Sequence, residues 1–167
     1  LHEAGRNPLA PIRYLPNTPL ERAERGSLGT FDLIVSTSVL EHVSDLEQSI
    51  QAMYGLLNPG GWIAHCVDLA SHDRYEAYPL AFLETSETLW NLQFSNLGGP
   101  NRCRKSAYQR FLECAGFRDI HILVDREFPS DAIERVRKSG LAEPFRDASD
   151  EDLAAEVIFI CARKGIR

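Results

Sequence analysis

Apolar and polar positions along the chain alternate between a period typical of strands and one typical of helices. Residues 31–36 form an apolar run in which Leu33, Ile34 and Val35 are consecutive, and a turn-rich stretch precedes it. A run without polar alternation predicts a strand that is covered on both faces, as in a parallel sheet.

A helix is predicted directly after this strand. Ser44 and Glu47 have the S-x-x-E spacing in which a hydroxyl and a carboxylate each bind a free amide at a helix start. The Asn58-Pro59-Gly60-Gly61 stretch predicts the helix end and a turn, and residues 62–67 a second apolar strand. This order predicts a parallel βαβ unit with a right-handed crossover. The helical repeat consists of Leu46, Ile50, Met53, Tyr54 and Leu57.

The second half of the chain continues the alternation. Ser86 is the predicted N-cap of one helix, and Ser106 begins a second capping box ahead of a helix that ends at Gly116. The remaining predicted elements are a strand over 117–124 with His121 opposite its apolar face, a helix over 130–139 and a strand over 157–162. The whole pattern predicts an α/β fold.

The composition and net charge of the chain limit which kinds of binding partner are expected. The 167 residues are 44% hydrophobic and 25% charged, which suits one globular domain, and the formal net charge is -6. An acidic chain offers no positive field to gather phosphates, so nucleic acid or an anionic membrane is not the expected main partner. Scattered cysteines without a C-x-x-C pair, and no signal peptide or long apolar span, predict a reduced cytoplasmic protein.

Two linked stretches carry a family resemblance. "FDLIVSTSVLEHV", residues 31–43, and "LLNPGGWIAHCV", residues 56–67, resemble the fourth strand, helix, turn and fifth strand of class I S-adenosylmethionine-dependent methyltransferases, especially small-molecule members such as the ubiquinone-biosynthesis O-methyltransferases. The segments "AGFRDIHILV" and "EVIFICARKG" are similar to the terminal antiparallel strands of that family. The resemblance covers roughly residues 12–164, with 68–103 matching loosely, and implies a Rossmann-like sheet of parallel strands with a C-terminal antiparallel hairpin.

The chain departs from the family pattern at its N-terminal side. Residues 1–30 contain neither the glycine-rich cofactor loop nor the acidic strand end of the family, and residues 12–15 resemble its third strand. We therefore expect an incomplete sheet with an exposed edge on the strand over 31–36, in the C-terminal part of a longer methyltransferase. A second chain that supplies the missing strands, or a rearranged N-terminal stretch, is the alternative. The expected unit is a single partial domain over 1–167, divided into 12–67, 68–103 and 104–167.

The resemblance also implies a cofactor site. It assigns S-adenosylmethionine as cofactor, with S-adenosylhomocysteine as product, and places Ser36 and Thr37 along the methionine end of this cofactor. Leu40 is expected to cover the adenine, and Asn17 and Thr18 to lie near it. The alternative for the hydroxyl residues is ordinary capping of a strand end.

Candidate acid–base residues follow from the chemistry of methyl transfer. The main need is to hold donor and acceptor in line, and a base is needed only if the acceptor loses a proton. His42, next to Glu41, is one candidate, because an imidazole can take a proton from a hydroxyl. The alternative is that both residues only shape the turn before the helix. Asp68 and His72 form a second candidate pair.

The acceptor pocket is expected in residues 68–103, a connection much longer than an ordinary loop. Tyr75 and Trp90 are candidate contacts with the acceptor, and Arg102 and Arg104 a candidate clamp for a substrate carboxylate or phosphate. The alternatives are aromatic packing in a helical lid, and arginines that lie on a solvated face or contact a helix end. No metal site is expected.

Two functions remain open on the sequence. One is methyl transfer to a small-molecule acceptor, with oxygen favoured, by the longer parent enzyme. The other is a non-catalytic methyltransferase-like fragment that binds a partner or forms a homodimer through the open sheet edge. A hydrolase with Ser38 as nucleophile is disfavoured because no G-x-S-x-G surrounds that serine.

Overall fold

The structure, a computed structural model, describes residues 14–22, 25–71, 78–94 and 99–166. Its sheet consists of β1 (Phe31–Thr37), β2 (Leu57–Asp68), β3 (Phe117–Glu127) and β4 (Ala155–Lys164), in the order β1-β2-β4-β3. β1 is parallel to β2, whereas β4 is antiparallel to both β2 and β3. The predicted fold class, a Rossmann-like α/β sheet with a C-terminal antiparallel hairpin, is confirmed.

Helices connect the strands. The α-helices are α1 (Arg25–Leu28), α2 (Leu46–Leu56), α3 (Glu87–Phe94), α4 (Lys105–Ala115), α5 (Ser130–Ser139) and α6 (Asp150–Ala154). Short 3-10 helices span Leu20–Arg22, Leu40–His42, Ala81–Leu83 and Glu143–Phe145. Within these described ranges, no helix is long and apolar enough to cross a membrane.

The predicted cap of α2 is wrong by one residue. Asp45, not Ser44, is the N-cap, and its carboxylate accepts the backbone N–H of Gln48 at 2.9 Å. Aspartate and serine are about equally good N-caps, so the S-x-x-E spacing alone does not fix which of the two neighbours takes the position.

We expect Asp45→Ala to lower the free energy of unfolding by about 1 kcal/mol, because an amide of the first turn of α2 loses its acceptor. Urea denaturation measures the change. Ser44→Ala is the matched control, with an expected change within about 0.5 kcal/mol. A larger loss for Ser44→Ala than for Asp45→Ala would show that the serine caps this helix after all.

The N-cap of α4 also differs from the prediction. Arg104 is the N-cap residue and makes no side-chain cap bond, so Ser106 lies inside the helix. The carboxylate of Asp152, from α6, accepts the backbone N–H of Ser106 at 2.7 Å and its hydroxyl at 2.6 Å. A distant residue therefore satisfies this helix start, and no local spacing could have shown it.

The turn predicted at residues 58–61 lies inside β2. This strand begins at Leu57, directly after α2, and Gly60 has a φ of 80°, a backbone conformation that glycine adopts without strain. The register between β1 and β2 shifts here, since Phe31 pairs with Leu57 and Leu33 already pairs with Trp62. The chain turns within an irregular strand start instead of in a separate loop.

Helices and hydrophobic side chains cover one face of the sheet, whereas the described residues leave Leu33 and Val35 exposed on the other face. A hydrophobic cluster, here called the sheet core, joins β2 and β4 to α2 and α4 through residues such as Ile63, Ile160, Met53 and Leu112. A second core joins residues 80–90 to α5 and α6; its buried members are Leu80, Phe82, Leu83, Trp90, Phe128, Ala132, Val136 and Leu153. The second core holds part of the predicted acceptor segment against the C-terminal helices.

The prediction that the first strand is covered on both faces is wrong. Leu33 and Val35 of β1 are 55% and 64% exposed, whereas Ile34 between them packs against the sheet core. Helices α2 and α4 both pack on the face that carries Ile34. β1 is an outer strand of the sheet in the described residues, as expected. Of the strand expected over 12–15, residues 14 and 15 are not in a strand, and 12 and 13 lie outside the described residues.

Candidate functional site

The C-terminal ends of β1 and β2 lie side by side. Ser36 pairs with His65 and Thr37 with Cys66 in the parallel ladder, and the N–H of Ser38 donates to the carbonyl of Cys66 at 3.0 Å. In open sheets with parallel strands, ligands bind outside the carboxyl ends of the strands. Ser36 and Thr37 therefore lie at the edge where a cofactor is expected.

A histidine that the sequence analysis did not select holds Ser36. The Nδ1 atom of His65 lies 2.7 Å from the Oγ atom of Ser36. His65 is 3% exposed, and burial lowers the pKa of its imidazole from 6.5 to about 4, so the ring is neutral at pH 7. The pairing register of the two strands could have revealed this contact, because Ser36 and His65 share a face.

The 3-10 helix Leu40–His42 follows the end of β1. Leu40 and Glu41 are each 2% exposed, and Leu40 belongs to the sheet core. His42 is exposed, and its N–H donates to the carbonyl of Val39 at 2.9 Å. The contact of Leu40 with adenine and the role of His42 as base stay predictions.

His42 lines a cavity of about 400 Å³ between this 3-10 helix and α3. Trp90 and Phe94, whose ring centroids are 4.2 Å apart, also line this cavity, as do Glu87 and Asn101. The structure thus brings together His42 and Trp90, two residues predicted separately as base and acceptor contact.

Asn101 joins the loop around His42 to the acceptor segment. Its backbone N–H donates to the carbonyl of Glu41 at 2.7 Å, and its Nδ2 donates to the carbonyls of Leu40 at 2.8 Å and Val43 at 3.2 Å. Its Oδ1 accepts the N–H of Cys103 at 3.0 Å. The sequence analysis missed Asn101, because no local pattern connects positions that are about 60 residues apart.

Asp68 shapes the chain where β2 ends. Its Oδ1 accepts the N–H of Ala70 at 2.9 Å, which starts the turn out of the sheet. His72, its predicted acid–base partner, and Tyr75 lie outside the described residues. The catalytic role of Asp68 therefore stays a prediction.

The two predicted clamp arginines are buried and bind main-chain carbonyls. Arg102 donates to the carbonyls of Phe82 at 3.2 Å and Thr85 at 2.6 Å, and its guanidinium lies 4.7 Å from the centroid of the Trp90 ring. Trp90 in turn donates its Nε1–H to the carbonyl of Pro100 at 3.1 Å.

Arg104 is 3% exposed, and its guanidinium bonds to the carbonyls of Leu69, Asp152, Leu153 and Ala155. Both arginines line a cavity of about 510 Å³ between the acceptor segment and residues 143–152. The contact of either arginine with a substrate anion stays a prediction.

Asn17 and Thr18 lie in an exposed stretch before the 3-10 helix Leu20–Arg22. Asn17 has a φ of 52°, and the Oγ1 of Thr18 donates to the carbonyl of Pro16 at 3.2 Å. Leu20 packs against the sheet core, which anchors this stretch on the side of α2. Contact of Asn17 and Thr18 with adenine stays a prediction. Among the described residues, no group of three His, Cys, Asp or Glu side chains could hold a metal ion.

Comparison with solved structures finds methyltransferases of low identity. Phosphoethanolamine N-methyltransferase 2 of Haemonchus contortus, in complex with S-adenosylmethionine, is 16% identical with a TM-score of 0.48, and the match covers 81% of this chain and 33% of that one. The CurJ carbon methyltransferase is 19% identical with a TM-score of 0.48, and the match covers 87% of this chain and 33% of that one. An S-adenosylmethionine-dependent methyltransferase of Mesorhizobium loti is 17% identical with a TM-score of 0.46, and the match covers 81% of this chain and 62% of that one.

The chain therefore spans between a third and two thirds of the length of these structures. No curated protein matches it. A family model described as a methyltransferase domain matches residues 7–122, which include β1, α2 and β2. The family expected from the two linked stretches is thereby confirmed: the chain belongs to the methyltransferase domain family.

Proposed function

We propose that this chain takes part in S-adenosylmethionine-dependent methyl transfer to a small-molecule acceptor, with oxygen as the favoured atom. The observation that carries the proposal is the parallel pairing of β1 and β2, which brings the hydroxyl residues Ser36 and Thr37 to the carboxyl edge of the sheet. Membership in the methyltransferase domain family supports the same reaction.

The residues at this edge fit the polar end of such a cofactor. Ser36 has a hydroxyl that His65 orients, and strand-end carbonyls are acceptors for an ammonium group. When bound, the sulfonium cofactor supplies an activated methyl group, so the protein has mainly to align the acceptor. S-adenosylhomocysteine is the expected product.

The cavity beside His42 is the proposed acceptor site. Its volume of about 400 Å³ suits a small molecule, and the rings of Trp90 and Phe94 offer an apolar wall. His42 is the proposed base, because it lines this cavity and an imidazole can take a proton from a hydroxyl acceptor. The proposal includes the division into cofactor, acceptor and C-terminal parts at residues 12–67, 68–103 and 104–167. It also includes a cytoplasmic location, which the scattered cysteines favour.

A second candidate function rests on the open face of β1. Leu33 and Val35 are largely exposed, and β1 is an outer strand among the described residues; such strands pair readily with other chains. Under this alternative the chain is a binding module or a homodimer and performs no chemistry. The acidic net charge of -6 argues against nucleic acid or membrane partners in either case.

Calorimetric titration with S-adenosylhomocysteine tests the first function. We expect micromolar binding, weakened about tenfold by Ser36→Ala, because one hydrogen bond to the ligand is lost. Ser139→Ala, an exposed serine at the end of α5, is the control and should bind like the parent chain. Absence of binding, together with a dimer in analytical ultracentrifugation, would favour the second function instead.

A further inference from the structure

The carbonyls of residues 40, 41 and 43 converge on a single residue. Asn101 donates to all three, twice from its side-chain amide and once from its backbone N–H. These bonds are between 2.7 and 3.2 Å long. Here we call this set of contacts the Asn101 junction. All three carbonyls belong to residues 40–43, the 3-10 helix that ends at His42 and the residue after it, here called the His42 loop.

Only an amide side chain can make all three side-chain hydrogen bonds of Asn101. Nδ2 provides the two donors for the carbonyls of Leu40 and Val43, while Oδ1 accepts the N–H of Cys103. An aspartate has the same shape but would point a carboxylate oxygen at two carbonyl oxygens. An alanine would leave the carbonyls without these donors, and unpaired buried polar groups are costly.

The segment that follows Asn101 is fixed at two further points. Arg102, at a φ of 61°, is held in the left-handed region and bonds to the carbonyls of Phe82 and Thr85. Arg104 bonds to the carbonyl of Leu69, one residue after β2 ends. Residues 101–104 therefore connect the His42 loop, the second core and the end of β2.

We propose that Asn101 is a positioning residue that fixes the His42 loop against the acceptor segment, so that acceptor and cofactor sites keep one relative geometry. The effect of Asn101 on cofactor and acceptor sites rests on the proposed function. The hydrogen bonds of the junction do not depend on it. Asn101 touches the loop through main-chain carbonyls and acts through Leu40 and His42, the residues predicted to contact cofactor and acceptor.

Amide hydrogen exchange on the chain alone tests the junction. We expect Asn101→Ala to speed exchange at residues 40–43 and 101–104 about tenfold, with little change in β4. Asn58→Ala is the matched control, because Asn58 donates to Asp32 at 2.8 Å at the opposite end of β2. Exchange at residues 40–43 equal to that of the parent chain would overturn the proposal.

Asn101→Asp adds a readout that a general loss of packing would not give. At pH 8 its carboxylate should loosen the loop as alanine does. Two carbonyl oxygens next to this carboxyl disfavour its ionised form and raise its pKa above the ordinary value of about 3.9. At pH 5 a fraction of the variant is therefore protonated, and its single O–H can donate to one of the two carbonyls, so part of the protection should return. The parent chain and Asn101→Ala carry the same surrounding charges and should not show this recovery. In the part of the chain that the structure describes, the charged or titratable groups near the junction are Glu41, His42, Glu87, Arg102, Cys103, Arg104 and Tyr108. A flat profile for Asn101→Asp would contradict the inference.

Titration with S-adenosylhomocysteine separates this inference from the proposed function. If the parent chain binds, Asn101→Ala should bind about tenfold more weakly, and equal affinity would show that the junction does not position the site. If the parent chain does not bind, the proposed function fails for this chain, and the exchange experiment still decides whether Asn101 holds the loop.

Discussion

Replacing Arg104 with methionine is expected to lower the free energy of unfolding by about 3–5 kcal/mol, because the change leaves buried polar partners unsatisfied. Its guanidinium bonds to carbonyls of Leu69, Asp152, Leu153 and Ala155. Burial lowers the pKa of Arg104 to about 10, while Asp152 acts in the opposite direction, so the side chain is charged at neutral pH. Methionine has a similar length and none of these donors.

Urea denaturation of the two proteins measures this effect. Arg110→Met is the matched control, since Arg110 lies exposed on the same helix with its guanidinium 4.9 Å from the centroid of the Phe111 ring. We expect the control to change stability by about 0.5 kcal/mol or less. Equal losses in the two variants would show that the bonds of Arg104 do not stabilise the packing of α4 against α6, β4 and the residue after β2.

The second large effect is a loss of stability in mild acid. The folded protein holds His65 neutral down to about pH 4, whereas the unfolded chain binds this proton below its ordinary pKa of 6.5. The stabilisation is complete above pH 6.5 and is lost as the pH falls toward 4. The expected loss from this histidine is about 3 kcal/mol.

We compare urea denaturation of the parent chain and of His65→Gln between pH 7 and pH 4. The difference between their losses in the free energy of unfolding is the contribution of this imidazole. Other groups, the carboxylates among them, titrate in both proteins and cancel. His121→Gln, an exposed histidine on β3, should follow the parent chain. If His65→Gln lost as much stability in acid as the parent, the imidazole would not be the source.

The sequence predicted the elements of the fold because their signals are local. Consecutive apolar residues marked β1, helical spacing marked α2, and Gly116, with a φ of 95°, ends α4 as expected. The caps of α2 and α4 were misplaced for different reasons. In α2 two neighbouring residues compete for one position, and in α4 the capping carboxylate of Asp152 comes from a distant helix.

The candidate site was predictable only in outline. The order of elements predicted the parallel pairing of the two strand ends, and the structure has Ser36 and Thr37 at these ends. Their contact with a cofactor stays a prediction. The contact of His65 with Ser36 depends on strand register, and the contacts of Asn101 with residues 40–43 join positions that are far apart in the sequence. Arginines at 102 and 104 carried a charge that suggested an anionic ligand, yet the fold surrounds both guanidinium groups with main-chain carbonyls.

The outer position of β1 also affects the solubility of the protein at high concentration. Within the described part of the chain, no strand pairs with the outer edge of β1, and Leu33 and Val35 are exposed to solvent. A strand of this kind is a template on which further chains add one after another, and this growth depends steeply on how many molecules share a volume. Dilute preparations should therefore stay clear, and concentrated ones should lose protein to precipitate.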